Sequence, residues 1–318
     1  MDLPFTTLDV FTNKQLEGNP LAVVRVPASL RDRLTQPIKQ KIAREFNLSE
    51  TVFLHDDTSK SGPEARDVDI FTIESELPFA GHPTIGTAVF VRQHLGGGEG
   101  VRSLITKAGP IGIEPSSVGI QAKIPHNVHL HAKTLRDLLS GPDEALVTAG
   151  LHPHPIIREA ELDAPVFSIV KGMTFVLVRL PSLDLLGQAK ALRLDFKALS
   201  ASLLDEGWHD SFIARYYYVD VEGEGDVPKE VRYLRTRMVE LGFEDPATGS
   251  AASALSAYLT LAQEKKGSKF QMTQGVEMGR KSVVNVETIL EEGTGRVGEL
   301  YLGGTAVVVM QGTLRVDA

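Results

Sequence analysis

The 318-residue chain has no cysteine. That removes disulfides, thiolate nucleophiles and cysteine-ligated metals. A basic stripe or patch is also absent, and with 33 Lys and Arg against 41 Asp and Glu the formal net charge is −8, so nucleic acid is not an expected partner. No apolar run reaches the roughly 18 residues that a membrane span needs, so no membrane partner is expected. The first residues, Met-Asp-Leu-Pro-Phe-Thr-Thr, have neither a basic segment nor an apolar core, so they do not read as a secretory signal and the expected location is the cytoplasm. Several signatures are incomplete. Gly81 to Thr87 has the glycine spacing of a P-loop without its lysine, and the tract Gly96 to Gly100 fails Gly-x-Gly-x-x-Gly at Val101. The Gly-x-Ser-x-Gly elbow of serine hydrolases does not occur.

What is present is an ordinary globular composition, 42% hydrophobic and 23% charged, in a chain long enough for two cored domains. The clearest pattern is a repeat. Glu76-Leu77-Pro78-Phe79-Ala80-Gly81-His82-Pro83-Thr84-Ile85-Gly86-Thr87-Ala88 returns as Glu240-Leu241-Gly242-Phe243-Glu244-Asp245-Pro246-Ala247-Thr248-Gly249-Ser250-Ala251, with one residue deleted. His82 then aligns with Asp245, 163 residues later, Gly86 with Gly249 and Thr87 with Ser250. A polar residue followed by proline reads as a helix start, with His82 and Asp245 as the expected caps. Residues 83–91 and 246–263 carry no charge, and a helix without a polar face is enclosed by protein.

Around these two helices the chain reads as many short strands, with an amphipathic helix expected over 31–46 and a polar hairpin tip over 56–67. The segment 126–165 is rich in proline and histidine and reads as the crossover between lobes. Short strands with one apolar helix per half predict an α+β chain in which each half curls a barrel-like sheet around its helix. The predicted N-terminal lobe covers residues 1–130, with a central helix over 83–95, and is completed by a C-terminal strand over 305–318. The C-terminal lobe covers 131–304, with a central helix over 246–265. If the repeat is a pseudo-two-fold, both helix starts face one cleft, where free N–H groups favour an anionic substrate.

His82 and Asp245 would bring an imidazole and a carboxylate to that cleft, groups suited to acid–base work. Glu50, in Asn47-Leu48-Ser49-Glu50-Thr51, is a third candidate. On spacing alone it reads as a surface residue that caps the preceding turn. His126, His129 and His131, with His152 and His154, suggest a metal, but no acidic residue stands within the cluster His126-Asn127-Val128-His129-Leu130-His131, and surface histidines are the plainer reading. Tyr216, Tyr217, Tyr218 and Trp208 read as core and domain-interface residues and not as a ligand cage.

Taken with Asp9-Val10-Phe11-Thr12, Gly18-Asn19-Pro20 and Gln274-Gly275-Val276-Glu277-Met278-Gly279-Arg280, these motifs resemble the PhzF-like phenazine biosynthesis family. The resemblance spans residues 9–280. It implies the two-lobed diaminopimelate epimerase-like fold and a cofactor-independent isomerase, similar to trans-2,3-dihydro-3-hydroxyanthranilate isomerase, that moves a proton by glutamate catalysis on a small carboxylate. It implies Glu50, His82 and Asp245 as the catalytic set and Gly81 and Ser250 as substrate-binding residues. Thr84 and Gly249, in the same two motifs, join the substrate-binding set. No cofactor and no metal are expected, and a homodimer is. The alternative is a non-catalytic ligand-binding or scaffolding protein that keeps the same cleft. Related epimerases use two cysteines, a mechanism this chain lacks the residues for. Lys281 departs from the family's usual proline.

Overall fold

The computed structural model describes residues 1–56, 62–190, 192, 194–223, 228–240, 242–263 and 267–317. Parts of the expected 56–67 hairpin tip, residues 224–227 and the end of the expected second central helix lie outside them. In chain order the elements begin β1 (Asp2–Val10), β2 (Asn19–Val26), α1 (Gln36–Phe46), β3 (Thr51–His55), β4 (Ala65–Phe71), β5 (Glu76–Leu77), α2 (Gly81–Val89), β6 (Ser103–Thr106), β7 (Gly109–Ser116) and β8 (Gly119–Lys123). They continue with β9 (His129–Leu130), α3 (Glu144–Gly150), α4 (Pro155–Leu162), β10 (Val166–Val170), β11 (Met173–Arg179), α5 (Leu183–Gln188), α6 (Phe196–Leu203), β12 (Phe212–Val221) and β13 (Val231–Glu240). The last are β14 (Phe243–Asp245), α7 (Gly249–Gln263), β15 (Gly267–Gln274), β16 (Ser282–Leu290), β17 (Val297–Gly304) and β18 (Ala306–Arg315). They form two compact units, one of residues 1–124 with 301–318 and one of residues 125–300.

In the first unit β18 pairs antiparallel with β1, and β1 with β2. β2 and β3 are parallel, β3 and β4 antiparallel, and β4 carries the short β5 before a parallel β6. β6, β7 and β8 follow as a meander that ends on Tyr301–Gly304 of β17. The sheet curls round α2, which packs against β1, β2, β3, β8 and β18. Every residue of α2 from His82 to Val89 is buried, as its uncharged sequence requires. Gly86 permits the closest approach: a Cβ there would lie 2.6 Å from both Leu21 Cδ2 and Val10 Cγ2. Beyond Val89 the helix loosens into one π turn over Phe90–His94. α1 lies outside the sheet, burying Ile42 and Ala43 against Phe53 and Phe71. It starts later than expected because Pro37 falls in its first turn, where a missing N–H costs nothing.

The second unit repeats this order of pairings. β9–β10 and β10–β11 are antiparallel, β11–β12 parallel, β12–β13 antiparallel, β13–β14 antiparallel, β13–β15 parallel and β15–β16 antiparallel. Its helix α7 packs against β10, β11, β15 and β16. The duplication seen in the motifs is therefore a duplication of topology. The histidine- and proline-rich segment folds into helices over this unit's outer core, where Val147, Ile157 and Leu162 pack with Val176, Ile213 and Tyr217. Inside that layer Arg215 is fully buried and bridges Glu240 at 2.9 Å and Glu161 at 3.1 Å. Its other N–H groups reach the Gly150 and Leu192 carbonyls, so the ion is satisfied on all sides. Tyr216, Tyr217 and Tyr218 are core residues, as expected, while Trp208 is half-buried.

Neither expected helix cap is observed. α2 starts at Gly81 after an extended Ala80, which puts His82 inside the first turn and Pro83 third. α7 starts only at Gly249, and Thr248 supplies the carbonyl that accepts from the Ala252 N–H. Asp245 instead ends β14, opposite Met238, and its carboxylate is engaged by a side chain before the helix begins.

Candidate active site

In the first unit α1 ends at Asn47, which takes the left-handed conformation at φ 51° and returns its N–H to the Ala43 carbonyl. The turn delivers Leu48, Ser49 and Glu50 to the start of β3, whose parallel pairing begins at Thr51 opposite Ala22. Glu50 therefore sits on a strand entrance, and the first turn of α2 brings His82 to it. His82 Nδ1 lies 3.5 Å from Glu50 Oε2. The imidazole is 6% exposed and the carboxyl 17%, yet Oε2 is wholly enclosed and accepts no hydrogen bond among the described residues. Burial raises the Glu50 pKa, and a hydrogen bond from the Ser49 side chain opposes it only in part. A desolvated carboxyl of this kind holds its proton nearer neutrality than an exposed one, the condition for accepting and returning a proton.

Two more of the expected residues lie in the first unit. Gly81 is half-buried at the helix start. Thr84 is buried and donates its hydroxyl to the Ala80 carbonyl at 2.7 Å, which tightens the first turn.

The second unit presents Asp245, Gly249 and Ser250. Gly249 and Ser250 open α7, the glycine buried and the serine half-buried. Asp245 Oδ2 accepts the Thr248 hydroxyl at 2.5 Å. Gln274, at the end of β15, donates to the Asp245 carbonyl at 2.8 Å and to Thr248 Oγ1 at 3.0 Å. Sequence reasoning gave neither Thr248 nor Gln274 a role. The available signal was their membership in the two motifs of the second half.

Among the described residues, one set could in principle hold a metal: His129, His131 and Asp205, which the sequence separates by more than seventy positions. The carboxylate missing from the histidine-rich stretch is thus supplied by the fold. His129 hydrogen-bonds Asp205 at 2.7 Å and stacks on Trp208, with ring centroids 4.7 Å apart. His131 accepts the Asp205 N–H at Nδ1 and meets Ser168 Oγ with Nε2, so both ring nitrogens are engaged within the protein. Burial, with His129 nearby, lowers its pKa to about 4, which keeps the ring neutral.

The curled sheet round a buried helix, repeated within the chain, is an epimerase-like fold, shared with a probable proline racemase of Agrobacterium radiobacter at a TM-score of 0.59 and 13% identity over 99% of this chain and 93% of that one. The family model described as phenazine biosynthesis-like protein matches residues 8–210 and 232–312. The chain is 34% identical over 320 residues to an uncharacterized isomerase of Mesorhizobium japonicum, covering 96% of each chain. It is 31% identical over 317 residues to the trans-2,3-dihydro-3-hydroxyanthranilate isomerase of Pseudomonas fluorescens, covering 98% of each. The crystal structure of a Bacillus anthracis phenazine biosynthesis protein of the PhzF family shares the fold, with a TM-score of 0.72 at 21% identity over 99% of this chain and 100% of that one. The chain belongs to the phenazine biosynthesis-like, or PhzF, family and is an isomerase. Among the described residues no helix is long and apolar enough to cross a membrane.

Proposed function

We propose that the chain is a cofactor-independent isomerase that moves a proton between two carbons of a small, carboxylate-bearing substrate. The observation that carries this reading is Glu50: a carboxyl with raised pKa and an enclosed, unbonded oxygen 3.5 Å from the His82 imidazole. Glu50 as carboxylate takes a proton from an activated C–H. The C–H electron pair moves into the substrate's conjugated system, and the Glu50 carboxyl, whose proton exchanges with solvent, protonates another carbon. His82 orients the carboxyl and the substrate. Asp245 and Ser250 hold polar substituents, and Gly81, Thr84 and Gly249, which the family resemblance supports, complete the substrate-binding set. The names of the isomerase relatives support trans-2,3-dihydro-3-hydroxyanthranilate as the first substrate to try. Acid–base help of this kind is worth roughly 10² to 10⁴ in rate.

The test is turnover of that compound in deuterated water, followed by NMR. The protein should place deuterium at the carbon that gains the proton, and Glu50→Gln should lose the reaction by the same factor. Full turnover by that variant would overturn the assignment. The resemblance also supports a homodimer, and a monomer mass by light scattering would contradict it.

A further inference from the structure

Gln274 is completely buried, and its amide uses every valence. Nε2 donates to the Asp245 carbonyl at 2.8 Å and to Thr248 Oγ1 at 3.0 Å. Oε1 accepts the Tyr216 hydroxyl at 2.9 Å and the Thr248 N–H at 3.3 Å. The amide cannot be turned over, because a backbone carbonyl only accepts and a backbone N–H only donates. Tyr216, on β12, is kept protonated by burial, with the Asp245 charge acting in the same direction. Since Thr248 Oγ1 receives a proton from Gln274, its own proton points to Asp245 Oδ2 at 2.5 Å. Gly275 locks the arrangement onto the turn: at φ 74°, a Cβ on it would lie 2.5 Å from the Arg280 carbonyl and 2.7 Å from that of Pro246. The neighbouring charges, Arg237 and Glu244, are paired with each other at 2.8 and 2.9 Å.

We propose that Gln274 is a positioning residue which, through Thr248, holds Asp245 as an ionised hydrogen-bond acceptor and so selects substrates that offer an N–H or O–H donor there. This rests on the reading of Asp245 as a substrate-binding group. The direction of the relay is set by two backbone groups, so it is a property of the folded turn and precedes any ligand. A substrate bearing only an acceptor at that position meets a second acceptor and is rejected.

The test reads Asp245 itself. In protein labelled with ¹³C-aspartate, D245N assigns the Asp245 carboxyl signal, whose titration midpoint is then followed in variants. Loss of a hydrogen bond to a charged group should raise the midpoint by about one unit or more in T248V, with no change in T248S. Q274E should raise it too, by reversing the Thr248 hydroxyl and adding a like charge, and T248V placed on top of Q274E should add nothing. An unmoved midpoint in T248V, or additive shifts in the double variant, overturns the relay. If Q274E does not fold, the T248V and T248S pair still decides. With trans-2,3-dihydro-3-hydroxyanthranilate as probe, T248V should raise KM about tenfold with a smaller change in kcat. Undiminished turnover by D245N would instead remove Asp245 from substrate binding, a failure of the underlying reading that the NMR titration distinguishes from failure of the relay.

Discussion

Replacing Glu50 by glutamine should separate function from stability, with opposite signs. Oε2 takes part in no hydrogen bond among the described residues, so the amide removes no bond that oxygen makes in the fold. What it removes is a buried group whose ionised form the fold disfavours, with desolvation as the leading cause of the raised pKa. A carboxyl raised above its unfolded value contributes stability that is fully present below the unfolded pKa, near 4.5, and is lost as pH rises through the folded pKa. Wild-type protein should therefore lose stability relative to Glu50→Gln between pH 4 and neutrality, and at pH 7 the variant should be the more stable. Turnover should move the other way. Loss of the base costs a factor of roughly 10² to 10⁴, equivalent to about 3 to 5 kcal/mol of transition-state stabilisation. Calorimetry from pH 4 to 8, paired with the deuterium assay, reads both. A variant less stable than wild type at pH 7 would refute the argument that Glu50 sits there at a cost to the fold, as would one with a pH-independent difference.

Arg215→Met leaves Glu161 and Glu240 buried without their cation and should cost about 3–5 kcal/mol in urea unfolding of the second unit; a loss under about 1 kcal/mol would mean the carboxylates find other partners. Gly86→Ala gains helix propensity of about 1 kcal/mol but forces Leu21 and Val10 apart, so a net loss of about 1–2 kcal/mol is expected, and a higher melting temperature would contradict the packing. For Asp69, burial would raise the pKa, but hydrogen bonds from His55 at 2.8 Å and Lys39 at 2.5 Å more than offset it and lower it to about 2. Its stabilisation is present above the unfolded pKa and lost as pH falls toward 2, so Asp69→Asn should cost about 2 kcal/mol at pH 7 and almost nothing at pH 2, checked by urea titration at both.

The two central helices were legible because nothing else in the chain is apolar on all sides, and such a helix has to be wrapped. Their first turns were not. The pattern of a polar residue before proline predicted caps at His82 and Asp245, but Asp245 is drawn into β14 and the Thr248 turn, and α2 starts earlier because Ala80 is already extended. The outer helix also began later than its periodicity suggested, with Pro37 marking the start. In the histidine-rich stretch the missing acidic neighbour, Asp205, is distant in sequence and is carried in by the turn after α6. No local pattern could show it.

By itself, the sequence determined the duplication, the exclusion of thiol chemistry and the identity of the two motif-bearing helices, because these follow from residue type and spacing along one dimension. The proximity of Glu50 to His82 was decided only by the tertiary structure. It takes a left-handed turn at Asn47, a parallel strand and a buried helix to place them 3.5 Å apart. The raised pKa of Glu50 is equally a tertiary property, since desolvation depends on what the rest of the chain packs around the carboxyl. So is the direction of the Thr248 hydroxyl, which Gln274 sets from a strand twenty-six residues away.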